Sequence, residues 1–195
     1  MSSELLKDLE NKVVIVTGSS SGIGEATALL FAKIGSKVVI TGRNEDRVLK
    51  VSQKCESLSP FQFKPLTVIC DLSIDEDVKQ LVNKTIEKFG SIDCLVTAAG
   101  INNSDLLANI SDSELLQKYD IVMRVDVRSK LLLCQLCSPY LAQTKGSIVN
   151  ISSVNSIKPI DGFLVHAMST AAVDMLTKSL ALELGAKGVR VNSVK

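Results

Sequence analysis

The sequence has no tryptophan, and its aromatic residues amount to 4%. A platform on which bases stack needs such rings, so single-stranded nucleic acid is a poor fit as partner. Charge of one sign is also missing. Twenty-two basic residues face 21 acidic ones, for a net charge of +1, with no basic block and no acidic tail. That balance argues against nucleic acid by electrostatics as well. Apolar runs are short and interrupted, so no segment of the sequence reads as a bilayer span. Met1 to Asn11 mixes acids with lysines and has neither the apolar stretch of a secretory signal nor the character of a transit peptide. A cytoplasmic protein is the expectation. The triplet Asn102-Asn103-Ser104 has the form of a glycosylation acceptor but carries no weight without secretion. There is one histidine, and the five cysteines form no disulfide framework, which fits a reducing compartment. Cys134-Gln-Leu-Cys137 is a lone pair in a helical stretch and reads as core filling, so no metal is expected.

What the sequence has is a regular alternation. Val13–Thr17, Lys37–Thr41, Leu66–Cys70, Ile92–Thr97, Ser147–Ser152 and Val189–Ser193 read as strands rich in Val, Ile and Leu. Between them, helical spacing covers Ile23–Ile34, Asn44–Leu58, Ile74–Phe89, Asp112 to about Thr144, and Phe163–Leu184. Asn44 is a good N-cap, and Gly35 and Gly90 are C-terminal stops. A loop spans Gly100 to about Ser111. Continuous apolar strands belong to a parallel sheet covered on both faces. The fold class expected is therefore α/β, a doubly wound Rossmann-type sheet of six strands in the order 3-2-1-4-5-6. With 195 residues, one domain spanning 1–195 is expected, its first 11 residues an N-terminal extension.

The most specific stretch is Thr17-Gly18-Ser19-Ser20-Ser21-Gly22-Ile23-Gly24, between the first strand and the first helix. Glycines there let the backbone turn sharply and approach a ligand. The helix that follows offers free N–H groups and the positive end of its dipole to a pyrophosphate. Gly42-Arg43, Asp71-Leu72, Thr97–Gly100 and Ser152-Ser153 fall at strand ends along the same rim. Ligands of such sheets bind on that rim, where the strand order reverses.

These segments resemble the short-chain dehydrogenase/reductase family over nearly the whole sequence. The glycine spacing is that family's, Gly146–Ser153 resembles its fifth strand, and Leu176–Val194 its sixth-strand region. The resemblance implies a nicotinamide dinucleotide, with Gly18, Ser20, Gly22, Ile23 and Gly24 at its diphosphate and Asp71 and Leu72 at its adenine. Ala99 and Gly100 follow the fourth strand at the remaining cofactor positions. Members that prefer NAD(H) carry an acid at or near position 42; this sequence has Gly42 and then Arg43. Arginine suits a 2′-phosphate, so NADP(H) is expected over NAD(H), with Arg43 as a merely solvated helix-start residue the plainer alternative.

The same resemblance implies a reacting set of Ser, Tyr, Lys and Asn, and here the sequence departs. Ser153 stands at the Ser position, but His166 stands at the Tyr position, Thr170 at the Lys position and Asp126 at the Asn position. The tyrosines present, Tyr119 and Tyr140, fall elsewhere and read as structural. Loss of a positioned acid/base lowers rates by about 10²–10⁴. The first expectation is thus an impaired member that keeps its dinucleotide site. A second is an active carbonyl reductase or alcohol dehydrogenase in which Ser153 holds the substrate oxygen and His166 is the acid. A third is a non-catalytic partner subunit or scaffold, paired through the two long helices as a homo- or hetero-oligomer. Ser153, His166 and Asp126 have the residue types of a nucleophilic triad, but no nucleophile elbow accompanies them. The residues end at Lys195, before the Pro-Gly loop, substrate loop and seventh strand that the family carries, so a divergent, C-terminally truncated member is expected.

Overall fold

Val13–Thr17 forms β1, and the elements around it show why this run is wholly apolar. Val13, Val14, Ile15 and Val16 are all buried, because neighbouring strands and helices enclose β1 on every side. The computed structural model describes residues 3–101 and 107–195. The Asn102-Asn103-Ser104 triplet and the centre of the Gly100–Ser111 loop lie outside the described residues.

The order along the chain is β1 (Val13–Thr17), α1 (Gly22–Ile34), β2 (Lys37–Gly42), α2 (Glu45–Leu58), β3 (Leu66–Ile69), α3 (Asp75–Phe89) and β4 (Cys94–Thr97). After them come α4 (Leu115–Val122), α5 (Ser129–Thr144), β5 (Ser147–Ile151), α6 (Leu164–Gly185) and β6 (Arg190–Val194). The six strands form one sheet in the order β3-β2-β1-β4-β5-β6, every neighbouring pair parallel. Side chains alternate between its faces. Val14, Val16, Val38 and Ile40 pack against α1 and α2. Ile15, Leu95 and Ile148 pack on the other face with α3 and α5. Burying each such side chain contributes about 1.5–3 kcal/mol.

Local signals hold in detail. Asn44 accepts a hydrogen bond from the Arg47 N–H and caps α2. Gly35 and Gly90 take the left-handed conformation that closes α1 and α3. Cys134 and Cys137 are buried in the core beside α3, and Tyr119 and Tyr140 pack at the margins of hydrophobic clusters. Burial pushes the Cys134 thiol up to about 12.

The region from Asp112 to Thr144 departs from a single long helix. Residues 112–114 form a turn, α4 then runs to Val122, and a π-helical turn, Met123–Arg128, separates it from α5. β4 starts two residues later than the apolar run, because Asp93 sits at its foot, where its carboxylate accepts from the Val13 N–H. A 3₁₀ turn over Ser3–Leu9 precedes β1 and is capped by the core through Ser36, whose hydroxyl donates to the Leu9 carbonyl. None of the described helices is long and apolar enough to cross a membrane.

Candidate functional site

The strand order reverses between β1 and β4, and a cleft of about 470 Å³ opens above their ends. The β1–α1 turn makes its floor. Gly18 has φ +64°, and a Cβ there would stand 2.8 Å from the Ala99 Cα. Any larger residue would thus be both strained and blocked. Gly22 has φ +56° with open space above it. A Cβ on Gly24 would collide with the Gly18 carbonyl, so this glycine lets α1 start tight against the turn. Ser19 is buried and fastens the turn to β2. Its hydroxyl accepts from the Thr41 N–H at 2.8 Å, and its own N–H donates to the Thr41 carbonyl. Ser21 gives α1 no side-chain cap. The first-turn N–H groups are therefore left for a ligand, at the positive end of the helix dipole.

The other expected cofactor positions line the same cleft. Ser20 and Ile23 border the turn, and Ile23 is 62% exposed, unusual for isoleucine. Arg43 is exposed on the rim at the end of β2. A Cβ on Gly42 would meet the Ser20 Oγ at 2.7 Å, so any side chain there would require Ser20 to shift. Asp71 and Leu72 form the far wall. Burial pushes the Asp71 carboxyl up, but the Ser73 N–H and hydroxyl, with the Arg43 charge, outweigh it and hold it below its ordinary value. Ala99 and Gly100 stand between this cleft and a second cavity of about 250 Å³. The Ala99 N–H donates to Thr17 Oγ1 at 3.2 Å, which ties that wall back to β1.

The second cavity gathers Asp126 from the Met123–Arg128 turn, Ser153 from the loop after β5, and His166 and Thr170 from α6. The π-helical turn aims Asp126 inward, where it is 4% exposed. Its carboxylate accepts from the Ile101 N–H at 2.9 Å and from the Ser169 hydroxyl at 3.3 Å. Burial raises its pKa, against the opposing pull of those donors, Lys130 and His166. His166 Nδ1 is 4.0 Å from Asp126 Oδ2, too far for a hydrogen bond, and it has no partner among the described residues. The Thr170 hydroxyl turns back on its own helix and donates to the His166 carbonyl at 2.8 Å. Ser153 Oγ accepts from the Asn155 N–H at 3.2 Å and caps a short 3₁₀ turn.

The four residues therefore share a cavity without forming a chain of hydrogen bonds. A nucleophilic triad needs serine bonded to histidine and histidine to aspartate. Neither bond is present among the described residues. Two participants were not singled out in the sequence. Ser169 binds Asp126, and Lys130 reaches the cavity from α5. Neither carries a sequence signal, because serine and lysine on helices read as surface residues.

The profile of the short chain dehydrogenase family matches residues 12–195. A glucose 1-dehydrogenase of Gluconobacter oxydans is 38% identical over 185 residues, covering 94% of this chain and 67% of the relative. An L-xylulose reductase of Caenorhabditis elegans is 38% identical over 189 residues, covering 96% of this chain and 71% of the relative. The chain thus spans about two thirds to three quarters of these relatives' length. Among solved structures, a 7α-hydroxysteroid dehydrogenase complexed with NADH and 7-oxo glycochenodeoxycholic acid superposes with a TM-score of 0.89 at 27% identity. That match covers 99% of this chain and 72% of the other.

Proposed function

The chain belongs to the short-chain dehydrogenase family, and we propose that within it this protein holds NADP(H) but transfers hydride slowly. The family binds nicotinamide dinucleotides. The residues here fit one, since Gly18 and Gly24 admit no Cβ without striking Ala99 or the Gly18 carbonyl, which keeps the turn tight, and the space above Gly22 is open. In this reading Gly18, Gly22 and Gly24 with the first turn of α1 hold the diphosphate, beside Ser20 and Ile23. Asp71 and Leu72 hold the adenine end, and Ala99 and Gly100 lead toward the second cavity. Arg43 takes the 2′-phosphate, and Gly42 beside it leaves no acid to oppose that phosphate.

The dinucleotide, when bound, supplies the hydride; the protein must position a substrate oxygen and move a proton. One observation carries the slow reading. The Thr170 hydroxyl is committed to the His166 carbonyl, and His166 Nδ1 has no hydrogen-bond partner among the described residues to fix the ring for proton transfer. An acid that is not oriented contributes little of the usual acid–base acceleration. Ser153 remains on the cavity wall to hold a small carbonyl or alcohol.

Assembly into a homo- or hetero-oligomer belongs to the same reading. Leu131 on α5 and Met175 and Leu182 on α6 are exposed apolar side chains that pairing through these helices would cover. The five free, buried cysteines support a cytoplasmic setting.

The test is a carbonyl panel assayed with NADPH, using the wild type and His166→Ala. Turnover that is slow and unchanged by His166→Ala agrees with the proposal. Ordinary turnover abolished by His166→Ala overturns it in favour of an active reductase with His166 as acid. A wild type that binds no NADPH leaves only a scaffold.

A further inference from the structure

Lys130 lies in the first turn of α5, four residues after Asp126. A lysine there is ordinarily at the surface. This one runs inward, is 5% exposed, and donates to the carbonyl of Ile151, the last residue of β5, at 2.7 Å. It lines the second cavity beside Thr170 and Ser153. An ammonium carries three N–H donors. Only the bond to Ile151 is made among the described residues.

Its charge is only loosely balanced. Asp126 favours the charge from the neighbouring turn, but its oxygens are already engaged by Ile101 and Ser169. On α6, His166 leans toward Asp126, and Asp174 is paired with Lys195 at 2.8 Å. On α5 itself the adjacent titratable group is the Cys134 thiol. Burial lowers the Lys130 pKa to about 8, so the ammonium is still the main form at neutral pH. A buried ammonium with free donors and no close counter-ion is costly unless something else receives those donors.

The two cavities share the wall formed by Ala98, Ala99, Gly100 and Ile101, so one elongated ligand fits both. We propose that Lys130 holds the nicotinamide-ribose end of the dinucleotide, donating from its ammonium to a hydroxyl or carbonyl oxygen lodged in the second cavity. This rests on the dinucleotide reading above and deepens it. It assigns a cation to this end of the site from α5, where α6 offers Thr170 and the His166 ring. Lys130 acts as a binding residue here. It leaves His166 as poorly oriented as before, so it adds affinity without restoring proton transfer.

The test compares two ligands. NADPH reaches both cavities, while 2′,5′-ADP has only the adenosine end and reaches the first. Each is titrated against the wild type and Lys130→Met. Lys130→Met is expected to weaken NADPH by about tenfold or more and to leave 2′,5′-ADP unchanged. Wild-type affinity for NADPH is expected to fall as pH rises through about 8, with 2′,5′-ADP flat over the same range. Equal weakening of both ligands, or none for NADPH, overturns the proposal. So does a flat wild-type NADPH profile, which needs no variant and stands even where Lys130→Met fails to fold. A wild type that binds neither ligand overturns the dinucleotide reading itself, and this proposal with it.

Discussion

At the β1–α1 turn the wall of the first cleft is backbone. Gly18 and Gly22 set its path through positive φ, and Gly24 lets the helix close on it. At the ends of β5 and α6 the wall of the second cavity is side chain. Asp126, Lys130, His166, Thr170 and Ser153 arrive there from a π-helical turn, two helices and a loop. The two share one strip of chain, Ala98 to Ile101, yet they tolerate change differently. A backbone cradle is lost when a single glycine gains a Cβ. A side-chain cavity can exchange its members and still be a cavity, with different chemistry. One rim can thus keep its glycine turn while the side chains of the neighbouring cavity vary.

Restoring the second cavity is the largest way to move this comparison. Asp126→Asn, His166→Tyr and Thr170→Lys combined are expected to raise carbonyl reduction by about 10²–10⁴, read as NADPH consumption against the wild type. No rise would mean that the side chains are not what separates the two cavities.

Breaking the first cavity comes next. Gly18→Val forces a β-branched residue to φ +64° and into Ala99. NADPH and 2′,5′-ADP should both be lost, by about a hundredfold or more, while circular dichroism still reports the α/β fold. Retained binding of both would deny that the cradle is the nucleotide site.

The third prediction uses the charge buried in the second cavity. Unfolded, Lys130 keeps its proton up to its ordinary value of 10.5; folded, it loses it near 8. Between those values the unfolded chain binds more protons, so this residue's contribution to stability rises with pH. The unfolding free energy of wild type minus Lys130→Met should therefore climb by on the order of 3 kcal/mol over that window. Taking the difference cancels the opposite slope of the buried thiols, which lose stability as pH rises above their ordinary value. A flat difference would place the Lys130 ammonium in water.

The smallest effect concerns the choice of dinucleotide. Arg43→Ala should weaken NADPH about tenfold and leave NADH nearly unchanged, measured by fluorescence titration. Equal affinities in the wild type would make Arg43 a solvated residue only.

The contrast also explains what the sequence disclosed. The strand order follows from β–α alternation and apolar strands, both of which are written locally in Val13–Thr17 and its counterparts. The glycine turn and the Asn44 cap are equally local, since backbone conformation there is set by one or two residues. The π-helical turn at Met123–Arg128 carries no Gly or Pro to announce it, and helical spacing continues through it. That turn decides where Asp126 points. Lys130 was hidden for the same reason, since a lysine four residues after an aspartate reads as an exposed helical pair. Thr170 is legible in the sequence, but the bond of its hydroxyl to the His166 carbonyl is not. Side-chain direction depends on tertiary packing, and one sequence does not write it down.

The most direct measurement mixes the protein with one equivalent of NADPH and the carbonyl panel and follows nicotinamide fluorescence. The account predicts a rapid, saturable rise on binding and then a stable signal over many minutes. A rise that decays within seconds would contradict the slow half of the claim, and no rise at all would contradict the binding half.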